Sequence, residues 1–285
     1  MASQAGSSSK ESLQATVFQR LHPRTYLSRF VEEGFRPDGR ELGDWRDISV
    51  NVGSISTANG SALVRMGDTT IVCGVKAEIA EPDLDAPEEG FIVPNIDLPA
   101  LCSPKFKPGP PTDEAQVLSE HINDVLLSTD ILPLSSLCIA KGKAAWVLYV
   151  DAICINYDGN AFDATLLAIV AALQNVKLPK AKYNEETGKT TCSRKELEPL
   201  HINRLPVSMT FGFFDSSHIL SDPSSFEEPL LDSTLSVIVD EKQQLVSISQ
   251  SGATGGTSTS NDSLLKCIAT AKSRRDALSH FLRPQ

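Results

Sequence analysis

Residues 59–77 read NGSALVRMGDTTIVCGVKA, and this stretch decides the architecture. Asn59-Gly60 is the strongest hairpin signal in the chain. It leads into the apolar run 61–66, then the turn Gly67-Asp68, then 69–77, which is rich in β-branched residues. Upstream, Ile48, Val50 and Val52 alternate with polar residues, the period of a half-buried strand. Three antiparallel strands are expected here.

Farther upstream, Pro23, Tyr26, Leu27, Phe30 and Val31, closed by Gly34, predict a short amphipathic helix. Downstream, 81–111 is proline-rich and aperiodic, and a loop of that length is usually functional or interfacial. A helix follows over 114–127, with Val117, Ile122, Val125 and Leu126 on one side. Residues 146–156 read as a strand ending in the turn Asp158-Gly159, and 164–173 as a buried helix. A second β-rich block occupies 205–214, 235–240 and 245–249, followed by a helix over about 262–281 with Leu264, Leu265, Ile268 and Leu278 apolar. The class is α+β, in two β-then-α halves. The expected division is a flexible tail (1–20), a first half (21–183), a linker or exposed hairpin (184–200) and a second half (201–285).

Apolar residues make up 41% and charged residues 22%, so the chain is globular and not disordered. No run of about 18 apolar residues offers a membrane span, and the Ser/Gly-rich N-terminus lacks the apolar block of a secretory signal. Six scattered cysteines without a CxxC pair argue for reduced thiols in an intracellular protein and against zinc. The net charge of −10 argues against a stand-alone nucleic-acid binder, which is usually basic.

The candidate chemistry has bland readings beside it. Asp151, Asp158, Asp163 and Asp222 are carboxylates near turns that could hold Mg²⁺ or move protons. Asp158-Gly159 is also simply a turn, and Asp163 a helix cap. The Gly/Ser/Thr-rich stretch 251–260 could cradle an anion but lacks a phosphate-loop lysine. No two of the five histidines stand at helical spacing, and no nucleophile elbow occurs, so no metal, cofactor or catalytic residue is expected. Lys105-Phe106-Lys107 pairs cations with a ring, a pattern compatible with single-stranded RNA or with an ordinary solvated loop.

Three runs carry a resemblance. Arg36-Pro37-Asp38-Gly39-Arg40, then GSALV at 60–64 with GDTTIV at 67–72, then DAICINYDGNAFDA at 151–164 are similar, in order and spacing, to the landmarks of the RNase PH superfamily. The likeness spans about residues 25–280 and is strongest to the non-catalytic branch of ring subunits in the eukaryotic RNA exosome. It implies an RNase PH-like fold of two pseudo-symmetric halves, the fold shared with the second domain of ribosomal protein S5. It also implies a hexameric ring of RNase PH-like subunits, S1/KH cap proteins, single-stranded RNA threaded through the centre, and a separate hydrolytic nuclease. The setting it implies is rRNA maturation and mRNA turnover in nucleus, nucleolus and cytoplasm. By the same resemblance, the loop around Lys105, Phe106 and Lys107 would line the channel entrance.

Active members of that superfamily hold the attacking phosphate with a Gly-Thr-Arg run after the Asp-Gly turn. This chain has Asn160-Ala161-Phe162 there, a hydrocarbon ring in place of a guanidinium. The arginines of the helix after the long loop correspond to Val117 and His121. Of two family carboxylates, Asp222 matches the first as a vestige; the second falls at Thr234, with Asp232 out of register. The expectation is a ring scaffold without catalysis. The alternatives are an active phosphorolytic 3′-to-5′ exoribonuclease and a small-molecule kinase of related fold.

Overall fold

A computed structural model describes residues 15–215, 218–252 and 261–282 of the chain. Helix α1 (Pro23–Glu32) starts on its proline and ends at Gly34, which has positive φ. Strands β1 (Ile48–Val52), β2 (Gly60–Met66), β3 (Thr69–Ala80), β4 (Phe91–Asp97), β5 (Cys138–Ala140) and β6 (Ala144–Asn156) form one sheet, with α2 (Asp113–Ser128) inserted after β4. The sheet order is β1-β2-β3-β6-β4, with β5 also on β6. Helix α3 (Ala161–Gln174) follows. The hairpin β7 (Lys177–Asn184) and β8 (Lys189–Pro199) then leads to β9 (Val207–Phe214), β10 (His218–Ser221), β11 (Ser233–Val239) and β12 (Leu245–Gly252). These last four form an antiparallel sheet in the order β10-β9-β11-β12, closed by α4 (Asn261–Leu278).

The three antiparallel strands of the opening stretch stand as read, and Met66 pairs with Thr69 across a two-residue turn. Asn59-Gly60 is different. Seven residues connect β1 to β2, and Gly60 already pairs with Val75. A Cβ on Gly60 would stand 2.6 Å from Val176 Cγ2 and 2.7 Å from the Ala172 carbonyl, so the glycine serves the approach of α3, not a tight turn. The long segment read as loop contains β4, which runs parallel to β6. Pro94 broke the strand pattern in the sequence; it is tolerated because β4 is the sheet's edge. Strand β10 was likewise too short to read.

Helix α3 is buried from Ala164 to Leu173 and lies between the sheets, touching β2 and β3 on one side and β9 on the other. One contiguous apolar cluster therefore joins residues of both halves, from Ile71 and Leu148 through Leu166 to Phe211 and Val237. Helix α4 packs on β9 and β11, its buried positions being Cys267, Ala271, Arg275 and Leu278; Leu265, expected inside, is 63% exposed.

Candidate functional site

Three arginines from the segment before β1 converge on the turn between β10 and β11. Arg36 is 1% exposed. It donates to both Glu227 oxygens, to the Ser221 carbonyl at 2.6 Å and to the Asp222 carbonyl at 3.0 Å. Arg46 makes a two-pronged pair with Asp222, Nε to Oδ2 at 2.8 Å and Nη2 to Oδ1 at 2.7 Å, and donates to the Asp158 carbonyl at 2.6 Å. Arg40 adds a weaker contact to the Asp222 carbonyl. The Arg36–Arg40 landmark is thus a clip between the chain's two halves.

The turn before α3 is pressed against this clip. Gly159 has φ +79°, and a Cβ there would meet the backbone of Ser224 and Ser225 at 2.5 Å. Asn160, also left-handed at φ +52°, donates through Nδ2 to Asp222 at 2.7 Å and to Asp163 at 2.8 Å. Asp163 was expected to cap α3. Instead it is buried and accepts from Ser208, from the Thr210 amide at 2.7 Å and from the Thr210 hydroxyl at 2.8 Å, tying α3 to β9. Burial pushes its carboxyl above the usual range. Burial acts the same way on Asp222, but the Arg46 hydrogen bonds and charge outweigh it and hold that carboxyl low. With Arg46 and Asn160 on its oxygens, Asp222 belongs to the clip and does not line the neighbouring cleft.

That cleft, of about 440 Å³, opens between α2, the turn before α3, and strands β9, β11 and β12. It gathers Val117 and His121 from α2, Asn160 from the turn, Ala161 and Phe162 from the start of α3, and Thr234 from β11. These are the residues that the sequence reading singled out, and folding brings them together from three separate regions. The His121 ring stacks on Phe162, with centroids 4.3 Å apart and planes 9° from parallel. Burial pushes His121 below its usual pKa, which favours the neutral ring. Thr210, Ser236 and Ser249 supply hydroxyls on the opposite wall, and Asp113, Glu114 and Glu228 supply carboxylates. No lysine or arginine stands among the described lining residues. Asp232, the out-of-register carboxylate, pairs elsewhere, with Arg24 at 2.9 Å.

The Lys105–Lys107 loop lies at the mouth of the same cleft. Lys105 Nζ sits 2.8 Å from Glu114 Oε2 and 5.5 Å from the Tyr157 ring centroid. Phe106 is 5% exposed and meets Tyr157 edge-on at 5.3 Å, so its ring anchors the loop from inside. Lys107 is exposed. Tyr157 also donates to Glu228, a contact that no sequence spacing announced because it joins the residue after β6 to the turn after β10. Among the described residues no group of His, Cys, Asp and Glu could hold a metal, and no helix is long and apolar enough to cross a membrane. Of the 251–260 stretch only Ser251 and Gly252 are described, at the end of β12; the rest of that candidate anion loop lies outside the described residues.

Comparison with known proteins gives a consistent picture. Residues 44–179 match the model of the 3′ exoribonuclease family, domain 1, and residues 204–274 match domain 2 of the same family. The chain is 43% identical over 259 residues to exosome complex component rrp43 of Schizosaccharomyces pombe, covering 91% of this chain and 94% of that protein. It is 38% identical over 259 residues to exosome complex component Rrp42 of Thermococcus gammatolerans, covering 91% and 93%. Among solved structures, a chain of the Archaeoglobus fulgidus exosome with RNA bound to the active site superposes with a TM-score of 0.79 at 31% identity, covering 91% of this chain and 97% of that one. A chain of an archaeal exosome core superposes at 0.74 with 27% identity, covering 95% and 98%.

Proposed function

This chain belongs to the 3′ exoribonuclease family, and we propose that it serves as a ring subunit of an RNA exosome that scaffolds 3′-to-5′ RNA processing and decay without performing phosphorolysis itself. The observation that carries the second half of this reading is the charge of the cleft. Phosphorolysis brings an inorganic phosphate up to an RNA phosphodiester, so the site must gather cations around several negative oxygens. Here the cleft presents Asp113, Glu114 paired with Lys105 at the mouth, Glu228 with its carboxyl pushed up by burial, and a His121 ring stacked on Phe162 that burial biases toward neutrality, with no lysine or arginine among the described lining residues. Ions of like charge in a partly desolvated cleft repel, so phosphate is disfavoured where the reaction needs it held. Asp222 offers no substitute, because Arg46 and Asn160 occupy its oxygens.

In this reading the partners are other RNase PH-like subunits in a hexameric ring, S1/KH cap proteins, single-stranded RNA passing through the ring, and a hydrolytic nuclease that supplies the cutting. The setting is rRNA maturation and mRNA turnover in nucleus, nucleolus and cytoplasm. Native mass spectrometry of the tagged chain purified from cells tests the assembly. The expected result is a stoichiometric complex with other RNase PH-like and cap proteins; a chain recovered alone, at every ionic strength tried, speaks against it.

A further inference from the structure

We propose that the cleft between α2 and β11–β12 is a receptor for an extended peptide segment that inserts an arginine side chain, contributed by a partner protein. The inference builds on the reading that this cleft has lost its affinity for phosphate, and it asks what the remaining chemistry recognises.

The walls answer in three ways. The first is charge: Asp113 and Glu114 line a volume whose described lining holds no lysine or arginine, while Glu228, its carboxyl pushed up by burial, already accepts from Tyr157 and the Asn160 amide. An anionic occupant such as RNA meets repulsion there, and a cationic one meets attraction. The second is an internal precedent. The protein's own Lys105 already places an ammonium at the mouth, 2.8 Å from Glu114 and over the rings of Tyr157 at 5.5 Å and Phe106 at 5.6 Å. A carboxylate beside aromatic faces is the environment in which a guanidinium binds well, through a charge-assisted hydrogen bond and cation–π contact together. The third is the rest of the lining. Leu98, Val117, Leu118 and Phe162 offer apolar surface to the stem of an arginine and to a neighbouring apolar side chain. Ser249 and Ser236 offer hydroxyls to a peptide backbone, Ser236 while bonded to Thr210, whose own hydroxyl is committed to Asp163. Asn160 lines the same cleft while 3% exposed, its Nδ2 committed to two carboxylates and its Oδ1 without a partner. An occupant rich in N–H donors suits this lining. A volume of about 440 Å³ is in the range of ordinary ligand pockets, room for one long side chain and part of its neighbour.

Fluorescence anisotropy of the full-length chain tests this with a labelled pentapeptide, Gly-Leu-Arg-Leu-Gly, and its citrulline counterpart, which keeps the shape and loses the charge. The arginine peptide is expected to bind about tenfold or more tightly than the citrulline peptide, the effect of losing a charge-assisted contact. The Lys105–Glu114 pair gives a sharper readout. Lys105→Ala removes the internal competitor and should strengthen binding, while Glu114→Gln removes the recognition group and should weaken it. Both side chains are about half exposed, so neither change threatens the fold. A salt bridge that merely holds the loop in place would move both variants in the same direction. Equal affinity for the two peptides, no binding of either, or displacement of the arginine peptide by a uridine oligonucleotide that itself fills the cleft would each overturn the proposal. Because ring membership is read by mass spectrometry and phosphorolysis by product release, failure of the peptide test leaves those two readings standing and is distinguishable from their failure.

Discussion

Arg46 and Asp222 are 176 residues apart in sequence and make a bidentate ion pair with Asp222 fully buried. Removing one partner leaves a buried charge uncompensated, so Arg46→Ala should cost about 3–5 kcal/mol of unfolding free energy, read from urea denaturation. A loss below about 1 kcal/mol, the range of a surface pair, would mean that the clip is not a structural element. The pair also predicts a pH dependence. Arg46 holds the folded-state pKa of Asp222 below its unfolded value, so the folded protein binds fewer protons there. The stabilisation is fully present above the unfolded carboxylate pKa of about 3.9 and is lost as pH falls through the folded value. Wild-type stability should therefore fall more steeply than that of Asp222→Asn in that acid window. At this scale Val117, His121, Phe162 and Thr234 could be singled out from the sequence, and the fold brings all four to one cleft. Arg46 was not legible, nor was the true job of Asp163, since both act on partners that only the packed fold brings near.

Among the elements, those with a clean period were readable: β1 to β3, β6 and α3 appear within a few residues of expectation. Strand β4 was hidden by Pro94 at a sheet edge, and the Asn59-Gly60 signal marked a close approach of α3 where a tight turn was expected. The Lys105–Lys107 loop shows the same limit. Its composition offered two equivalent lysines, whereas folding ties Lys105 to Glu114 and leaves Lys107 exposed. If this loop touches RNA in an assembled ring, the free charge carries the contact. Lys107→Glu should weaken single-stranded RNA binding at low salt and make the salt dependence shallower by about one charge, and Lys105→Glu should do so less. Titrations across a salt series in rings of verified composition decide it; an unchanged slope for Lys107→Glu returns the residue to an ordinary solvated charge.

Across the whole molecule, α3 between two sheets and one apolar cluster spanning both halves make the fold of the 3′ exoribonuclease family, and the two-half α+β plan was legible in the sequence. The sequence also showed an acidic chain, but not that three of its carboxylates line one cleft. That arrangement is set by α2, the turn before α3 and the turn between β10 and β11 meeting, and no local pattern encodes it. On the proposed scaffold reading, Phe162→Arg alone is expected to stay inactive, since groups that act as a unit are not additive. The most direct test incubates the purified chain with single-stranded RNA, Mg²⁺ and inorganic phosphate and measures nucleoside diphosphates. The expected result is no release above a protein-free control; phosphate-dependent release of nucleoside diphosphates would contradict the account.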